Sequence, residues 1–512
     1  MWKKKLNLKE EQYVRSNFFR ILSFLLFGLF SLQSSGVHFF EFTPNLVKAQ
    51  KYNLELRLSI AADILKTEGI YSSDNSAVLY LLHSNSYLKA FVSEESSDFK
   101  AYQEVRESAI SHFELLNDTL PHKRFLLSEL YFQSATLKAK HNELYSAARD
   151  VNKAYSLIES NHKLFPNFLP NNKTRGILQV YLSTVPDNYR WVIRMLGIRG
   201  DLKGGMTLLK ELSAHRSDTG FIGGLAKETH YLYAFSLMHV ANQRITAWSE
   251  MLKATMDYRT NLASCFFRSN LALKLNKNES AINTLQSRPL GLEYVEFYLL
   301  EHLLGTAKLN KQDSTAILHL ATFNANFKGI NYVKSNLKRM CWYYLVMGNH
   351  IKAKQYKAAI LNNGYTINED DKQAERFGKK QLPNSDLLST RLYYDGGYVD
   401  LASAAISVIN VNSLTTLDLK AEYCYRKGHI LEKQGTINLA LKFYEACTLF
   451  AISSDEYYGA YAAIFLGDYY LNVNDVVKAC KFYNRALSFK KNKEYTESIE
   501  QRAKSGLKKC SS

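Results

Sequence analysis

Proline is scarce in this chain: seven residues among 512, at positions 44, 121, 166, 170, 186, 289 and 383. Proline breaks helix interiors, so the long proline-free tracts between them are open to helix after helix. Strand signals are missing too. No run of alternating Val, Ile and Thr bounded by hairpin turns occurs, which argues against a sheet protein. The six cysteines, Cys265, Cys341, Cys424, Cys447, Cys480 and Cys510, lie far apart without a C-x-x-C pair, so neither a zinc-finger nor a thioredoxin-like motif is present. Most of them read as small hydrophobes in helix interfaces, and a disulfide between neighbouring repeats stays open. Catalytic spacings are absent as well: there is no His-Glu-x-x-His, no Gly-x-Ser-x-Gly elbow, no EF-hand loop and no Walker loop. The expected class is all-α, and the chain is too long for one small core.

Concentrated charge is the next absence. The formal net charge is +17, which ordinarily raises nucleic acid or an anionic membrane as a partner. Here Lys and Arg are interleaved with Asp and Glu along the whole chain, and the tightest clusters are Lys3–Lys5 and pairs such as Lys379–Lys380, Lys490–Lys491 and Lys508–Lys509. That pattern reads as a solvated surface, and no nucleic-acid partner is expected. Isolated titratable residues give no site either. His230 and His239 point to different faces of one helix, Glu301-His302 reads as a surface pair, and Asp370-Asp371 reads as solvated loop. No catalytic residue, cofactor or metal is expected, and the chain is read as not an enzyme.

What the chain does contain is a repeat. Gly467, Tyr470, Ala479, Tyr483 and Ala486 recur, at identical offsets, as Gly428, Leu431, Ala440, Tyr444 and Cys447. This order of small and aromatic residues is the tetratricopeptide signature, in which small residues let two antiparallel helices close and aromatics fill the space beside them. A further copy is suggested by Leu392-Tyr393, the turn Gly396-Gly397 and Ala402. The expected architecture is therefore an α-solenoid of tetratricopeptide-like antiparallel helix pairs. By composition the chain divides into an N-terminal helical region (50–170), a helical-repeat region (171–363), a polar linker or long loop (364–386) and C-terminal repeats (387–512).

Residues 1–49 read differently. Lys3, Lys4, Lys5, Arg15 and Arg20 precede an uncharged stretch, 21–40, with its apolar heart at Ile21–Leu32. A basic segment before a short apolar run is the pattern of a secretory signal, and Val47-Lys48-Ala49 before Gln50 fits a cleavage site. The alternative is an uncleaved membrane anchor through residues 21–40. Either reading places the bulk of the chain outside the cytoplasm, in or near a bacterial envelope.

The segment from Gly176 to Leu212 is rich in glycine. Pro186, an apolar helix, Leu196-Gly197-Ile198-x-Gly200-Asp201, then Gly204-Gly205 and Leu208-Leu209 mark a tight helix–helix corner. This order resembles the tetratricopeptide repeat protein 39 and inclusion-body-clearance family, with Ile198 where an aromatic is usual. The resemblance implies a helical repeat scaffold and transfers no active site. The first helices of the pairs are rich in tyrosine, and those helices line the concave face of such an array. Tyr343, Tyr425 and Tyr458 are therefore candidates for contacting a partner. The functional expectation is a non-enzymatic scaffold that binds a protein or peptide in the cell envelope. The alternative is an outer-membrane glycan-binding protein on the same framework.

Overall fold

The computed structural model describes residues 38–184, 200–489 and 495–510. Among them are twenty-four α-helices and no named strand; Phe39 and Asn75 form an isolated bridge. Most helices pack as successive neighbours. In chain order the pairs are α1 (Pro44–Glu55) with α2 (Leu58–Tyr71), α3 (Ser76–Ser93) with α4 (Ser96–Glu114), and α5 (Pro121–Lys140) with α6 (Leu144–Leu164). Next come α7 (Asn171–Leu182) with α8 (Leu202–Ser213), α9 (Gly220–His239) with α10 (Arg244–Leu252), and α11 (Leu262–Lys274) with α12 (Asn278–Gln286). Then follow α13 (Leu299–Asn310) with α14 (Ala316–Asn326) and α15 (Val333–Val346) with α16 (His350–Asn362). After an extra helix, α17 (Glu369–Lys379), the last pairs are α18 (Ser385–Asp395) with α19 (Val399–Ser407), α20 (Leu417–Lys433) with α21 (Ile437–Phe450), and α22 (Tyr458–Asn472) with α23 (Val476–Ser488). A final helix, α24 (Thr496–Cys510), packs on α23.

The turn inside a pair has one recurring device. Asn142, Asn242, Asn276, Gln312, Gly348, Gly397, Gly435 and Asn474 all take positive φ just after the first helix of a pair. Glycine and asparagine adopt this left-handed region at least cost. The next amide then reaches back to the helix, as in Asn349 N to Tyr344 O at 2.8 Å and Asp475 N to Tyr470 O at 2.8 Å. Orphan carbonyls at the helix end are satisfied, and the chain reverses within a few residues. The pair then closes on small residues. A Cβ at Gly428 would come within 2.6 Å of the Tyr444 ring, and one at Gly467 within 2.7 Å of the Tyr483 ring. Ala440, Cys447, Ala479 and Ala486 are buried at the same two interfaces.

Pairs far apart in sequence also meet. The first helix, α1, lies against α9 and α11; Gln50 Nε2 donates to Phe221 O at 3.4 Å, and Val295 N to Leu56 O at 2.9 Å. The Glu94 carboxylate, buried at the α3–α4 turn, accepts from the Asn331 backbone N–H at 2.9 Å and pairs with Lys140 at 2.7 Å. The array is thus wound tightly enough for its start to touch its middle.

Three expectations change. The stretch 364–386, read as a linker or long loop, contains α17, which packs on α15 and α16. Its acidic residues, Glu369, Asp370 and Asp371, form the first turn of a helix capped by the Asn368 side chain, where negative charge is stabilised by the positive end of the helix dipole. Asp371 is fully buried rather than solvated; it accepts from the backbone N–H groups of Tyr332 at 2.6 Å and Ser335 at 2.8 Å, satisfying the start of α15.

The third concerns the N-terminus. Residues 1–37, with the apolar heart of the expected leader, lie outside the described residues. Residues 38–49 belong to the folded body. Phe40 packs against Phe221 at 5.2 Å and stacks on His122 at 4.4 Å. Leu46 and Ala49 are completely buried within α1. A cut between Ala49 and Gln50 would sever α1 in mid-helix and remove these side chains from the core. Among the described residues no helix is long and apolar enough to cross a membrane.

Candidate functional site

Of the three tyrosines singled out as partner contacts, the structure brings two together. Tyr425 on α20 and Tyr458 on α22 pack with ring centroids 5.4 Å apart. Tyr343 is elsewhere: its ring is buried on α15 against Tyr344, and its hydroxyl donates to Ser314 O at 2.9 Å. Tyr343 thus stands apart from the other two, its ring packed and its hydroxyl bonded within the fold.

Around Tyr425 and Tyr458 the first helices of successive pairs converge. Tyr457 joins them at 4.5 Å from Tyr458, and Tyr495, just before α24, lies 5.2 Å from Tyr457. Tyr461 closes the group at 5.8 Å from Tyr457 and 6.0 Å from Tyr495. Edge-to-face and tilted contacts of this kind fix the rings. Two guanidinium groups border the cluster. Arg391 on α18 lies 4.9 Å over the Trp342 ring of α15, and Arg426 on α20 lies 5.9 Å over Tyr458. Lys338 also sits over Trp342, at 5.1 Å. The result is a strip of aromatic rings and cations across α15, α18, α20 and α22.

Each arginine has one acidic neighbour a turn away. Arg391 Nε donates to Asp395 at 3.3 Å and Arg426 Nε to Glu422 at 2.8 Å. Burial opposes the charge on both, but for Arg391 the fields of Tyr457, Asp395, Tyr458 and Tyr495, and for Arg426 chiefly that of Glu422, outweigh it and hold both pKa values above the ordinary arginine range. Burial pushes the phenols of Tyr425, Tyr457 and Tyr458 up, so all three stay protonated. Burial, aided by Arg426, Lys433 and Arg502, lowers His429 to about 3, leaving a neutral ring 4.5 Å from Tyr425.

The hydrogen-bond balance of this strip is one-sided. Tyr444 and Tyr483, the packing tyrosines, give their hydroxyls to Glu432 at 2.6 Å and Asp468 at 2.7 Å. The hydroxyls of Tyr425, Tyr457 and Tyr458 make no hydrogen bond among the described residues, nor do the Nη groups of Arg391. None of these atoms is sealed from solvent. The strip presents donors and has few acceptors to spare.

Other polar centres are committed to the fold. His302, read as a surface histidine, is buried, with Nδ1 2.9 Å from Asn336 Oδ1 and its pKa lowered by burial to about 3. His230 is also buried, its Nε2 2.8 Å from Glu250 O. A cleft of about 600 Å³ between α1, the start of α9 and residues 255–261 mixes Lys48, Lys51 and Lys227 with Glu55, Asp218 and Asp257. No group of three His, Cys, Asp or Glu residues with metal-ligand geometry occurs among the described residues.

No family model and no curated protein matches the chain. A solved structure described as "Structure of Naa15/Naa10 bound to HypK-THB" aligns at 11% identity over 90% of this chain and 78% of that one, with a TM-score of 0.19. A likeness that weak carries no argument; the helical-repeat architecture rests on the helix pairs themselves. The resemblance to the tetratricopeptide repeat protein 39 and inclusion-body-clearance family gains no support. Residues 185–199 of its signature lie outside the described residues. The described part of that corner is tight: Asp201 caps α8 through the Gly204 N–H at 3.0 Å, and a Cβ on Gly205 would come within 2.6 Å of Gly176 O.

Proposed function

We propose that the protein is a non-enzymatic helical-repeat scaffold that holds a protein partner by an extended, acceptor-rich segment laid along the tyrosine–arginine strip. One observation carries this reading: three phenol hydroxyls and the Nη groups of Arg391 stand together without acceptors among the described residues. A bound acidic peptide supplies what is missing, carboxylates for the guanidinium groups and backbone carbonyls for the phenols. The rings themselves are turned against one another, which leaves little open face for stacking on a sugar and disfavours the glycan alternative. The full-length protein titrated with labelled acidic, neutral and basic peptides, and with an oligosaccharide panel, tests the proposal. Acidic peptides should bind best and release as salt rises. Sugar binding with no peptide retained would overturn it.

Export to a cell envelope is part of the same proposal, supported by the basic-then-apolar order of residues 3–32. The packing of Phe40 and Leu46 supports a cleavage that falls before His38. Mass spectrometry of the native N-terminus should find a start upstream of that residue; a start at Gln50 would contradict the packing.

A further inference from the structure

The last two helices run antiparallel, and packing sets their register. Gly506 of α24 sits where the Tyr483 ring of α23 leaves no room for a Cβ. One turn further on, Ala486 and Leu487 share a cluster with Ile499 and Ala503. Followed the other way, the same register brings Cys480 and Cys510, each about one turn beyond the Tyr483–Gly506 contact, to facing positions on the two helices. Both are partly exposed.

The remaining four cysteines differ in exposure rather than in acidity, since burial and its neighbour Cys480 push Cys510 up to about 11 as well. All four are buried. Burial pushes Cys265 and Cys341 up to about 12, Cys424 up to about 11 and Cys447 well above the ordinary thiol value, and with no exposed sulfur these four have little access to an oxidant. Cys424 and Cys447 also face each other across the α20–α21 interface, but both are buried there.

We infer that Cys480 and Cys510 are a redox-active pair whose oxidation by a disulfide pins α24 to the last repeat. The chemistry is thiol–disulfide exchange. One cysteine, as its thiolate, attacks a sulfur of the oxidant, forming a mixed disulfide and expelling the first reduced thiol. The second cysteine then loses its proton, attacks the protein sulfur of the mixed disulfide and expels the second. Two cysteine thiols are oxidised to one disulfide, and the oxidant's disulfide is reduced to two thiols. Closing the chain across residues 481–509 restricts the unfolded ensemble of this end. The crosslink also bears on the neighbouring strip. Helix α24 carries Arg502, which bonds Asp468 at 2.9 Å and lies 5.5 Å over Phe465, and it begins beside Tyr495. The inference itself stands whether or not that strip binds a peptide.

Oxidised glutathione applied to the full-length protein, followed by non-reducing tryptic mass spectrometry, tests it. The expected product links the Cys480 peptide to the C-terminal Cys510 peptide, with four thiols left to titrate after unfolding. Hydrogen exchange of α24 should slow by about tenfold or more on oxidation. Cys480→Ser and Cys510→Ser should each abolish both changes. Glutathione adducts on either cysteine without the crosslink, a disulfide between two chains, or six thiols remaining would each overturn the pairing, and all three are read on the wild-type protein.

Discussion

The inner helices carry polar clusters at both ends of the array, and the two clusters are built to opposite rules. Near the N-terminus, Glu129 on α5, Lys173 and Thr174 on α7 and Glu228 on α9 meet beside Tyr80 of α3. Lys173 bonds Glu129 and lies 2.8 Å from Glu228, and the Thr174 hydroxyl donates to Glu129. Glu129, Lys173 and Thr174 are all but inaccessible. Burial pushes the Glu129 carboxyl up, while Glu129 and Glu228 hold Lys173 above its ordinary value against burial. Near the C-terminus the hydroxyls of Tyr425, Tyr457 and Tyr458 and the Nη groups of Arg391 reach solvent and make no hydrogen bond among the described residues. One cluster has spent its hydrogen-bonding capacity on the fold; the other has kept it for something else. The same architecture therefore holds a structural centre and the strip proposed above as a binding centre, and the balance of donors and acceptors distinguishes the two.

The largest expected effect strikes the closed cluster. Lys173→Met strands two carboxylates, one fully buried, and should cost about 3–5 kcal/mol in urea-induced unfolding. Adding Glu129→Gln should recover part of that loss. The matching change in the open strip, Arg391→Gln, removes a partly exposed cation and should cost about 1 kcal/mol or less. Equal losses at the two sites would erase the distinction.

Acid probes both ends together. Burial lowers His83 in α3 to about 3, with Arg106 adding to it, and His429 in α20 falls to about 3 by the same main cause. Both rings are neutral when folded and take up protons near the ordinary histidine value, about 6.5, when unfolded. The unfolded state thus binds more protons below that value. Stability from these rings is full above about pH 6.5 and declines as pH falls toward 3, at about 1.4 kcal/mol per pH unit for each histidine. Unfolding midpoints measured from pH 7 to 5 check the slope. His83→Gln and His429→Gln should each flatten it, one through each end of the array.

The packing glycines come next. Gly428→Ala and Gly467→Ala press a methyl into the rings of Tyr444 and Tyr483 and should cost about 1–3 kcal/mol each. Thermal melts of the two variants should agree closely, because the two interfaces are copies. These interfaces were the most legible part of the sequence: Gly428, Ala440, Tyr444 and Cys447 announce themselves by recurring at fixed offsets. The pair turns were legible in principle, since Asn142, Asn276, Gly348, Gly435 and Asn474 punctuate successive helices where a left-handed residue is needed. Helix α17 was hidden because a capped acidic first turn, Asn368 to Asp371, looks like solvated loop when its buried contacts with Tyr332 and Ser335 are out of view. The strip was hidden for a different reason. Trp342, Arg391, Tyr425 and Tyr458 come from four helices, and no local pattern separates an aromatic whose polar tip is bonded within the fold from one whose tip is left to solvent.

The smallest structural change gives the sharpest test of the open strip. Tyr457→Phe and Tyr458→Phe keep the rings, and with them the packing against Tyr425 and Tyr495, while removing two hydroxyls that make no hydrogen bond among the described residues. A hydroxyl that bonds only water contributes little to folding, so urea midpoints should move by less than about 0.5 kcal/mol. If the hydroxyls serve a bound peptide, each loss removes a hydrogen bond of about 0.5–1.5 kcal/mol and weakens affinity by about 2- to 10-fold. Tyr444→Phe is the opposing control, because its hydroxyl is already bonded to Glu432. It should lower stability and leave peptide affinity unchanged. Were Tyr457→Phe and Tyr458→Phe to behave like Tyr444→Phe, losing stability without losing affinity, the strip would be a second closed cluster, and the contrast between the two ends of the molecule would be one of solvent access alone.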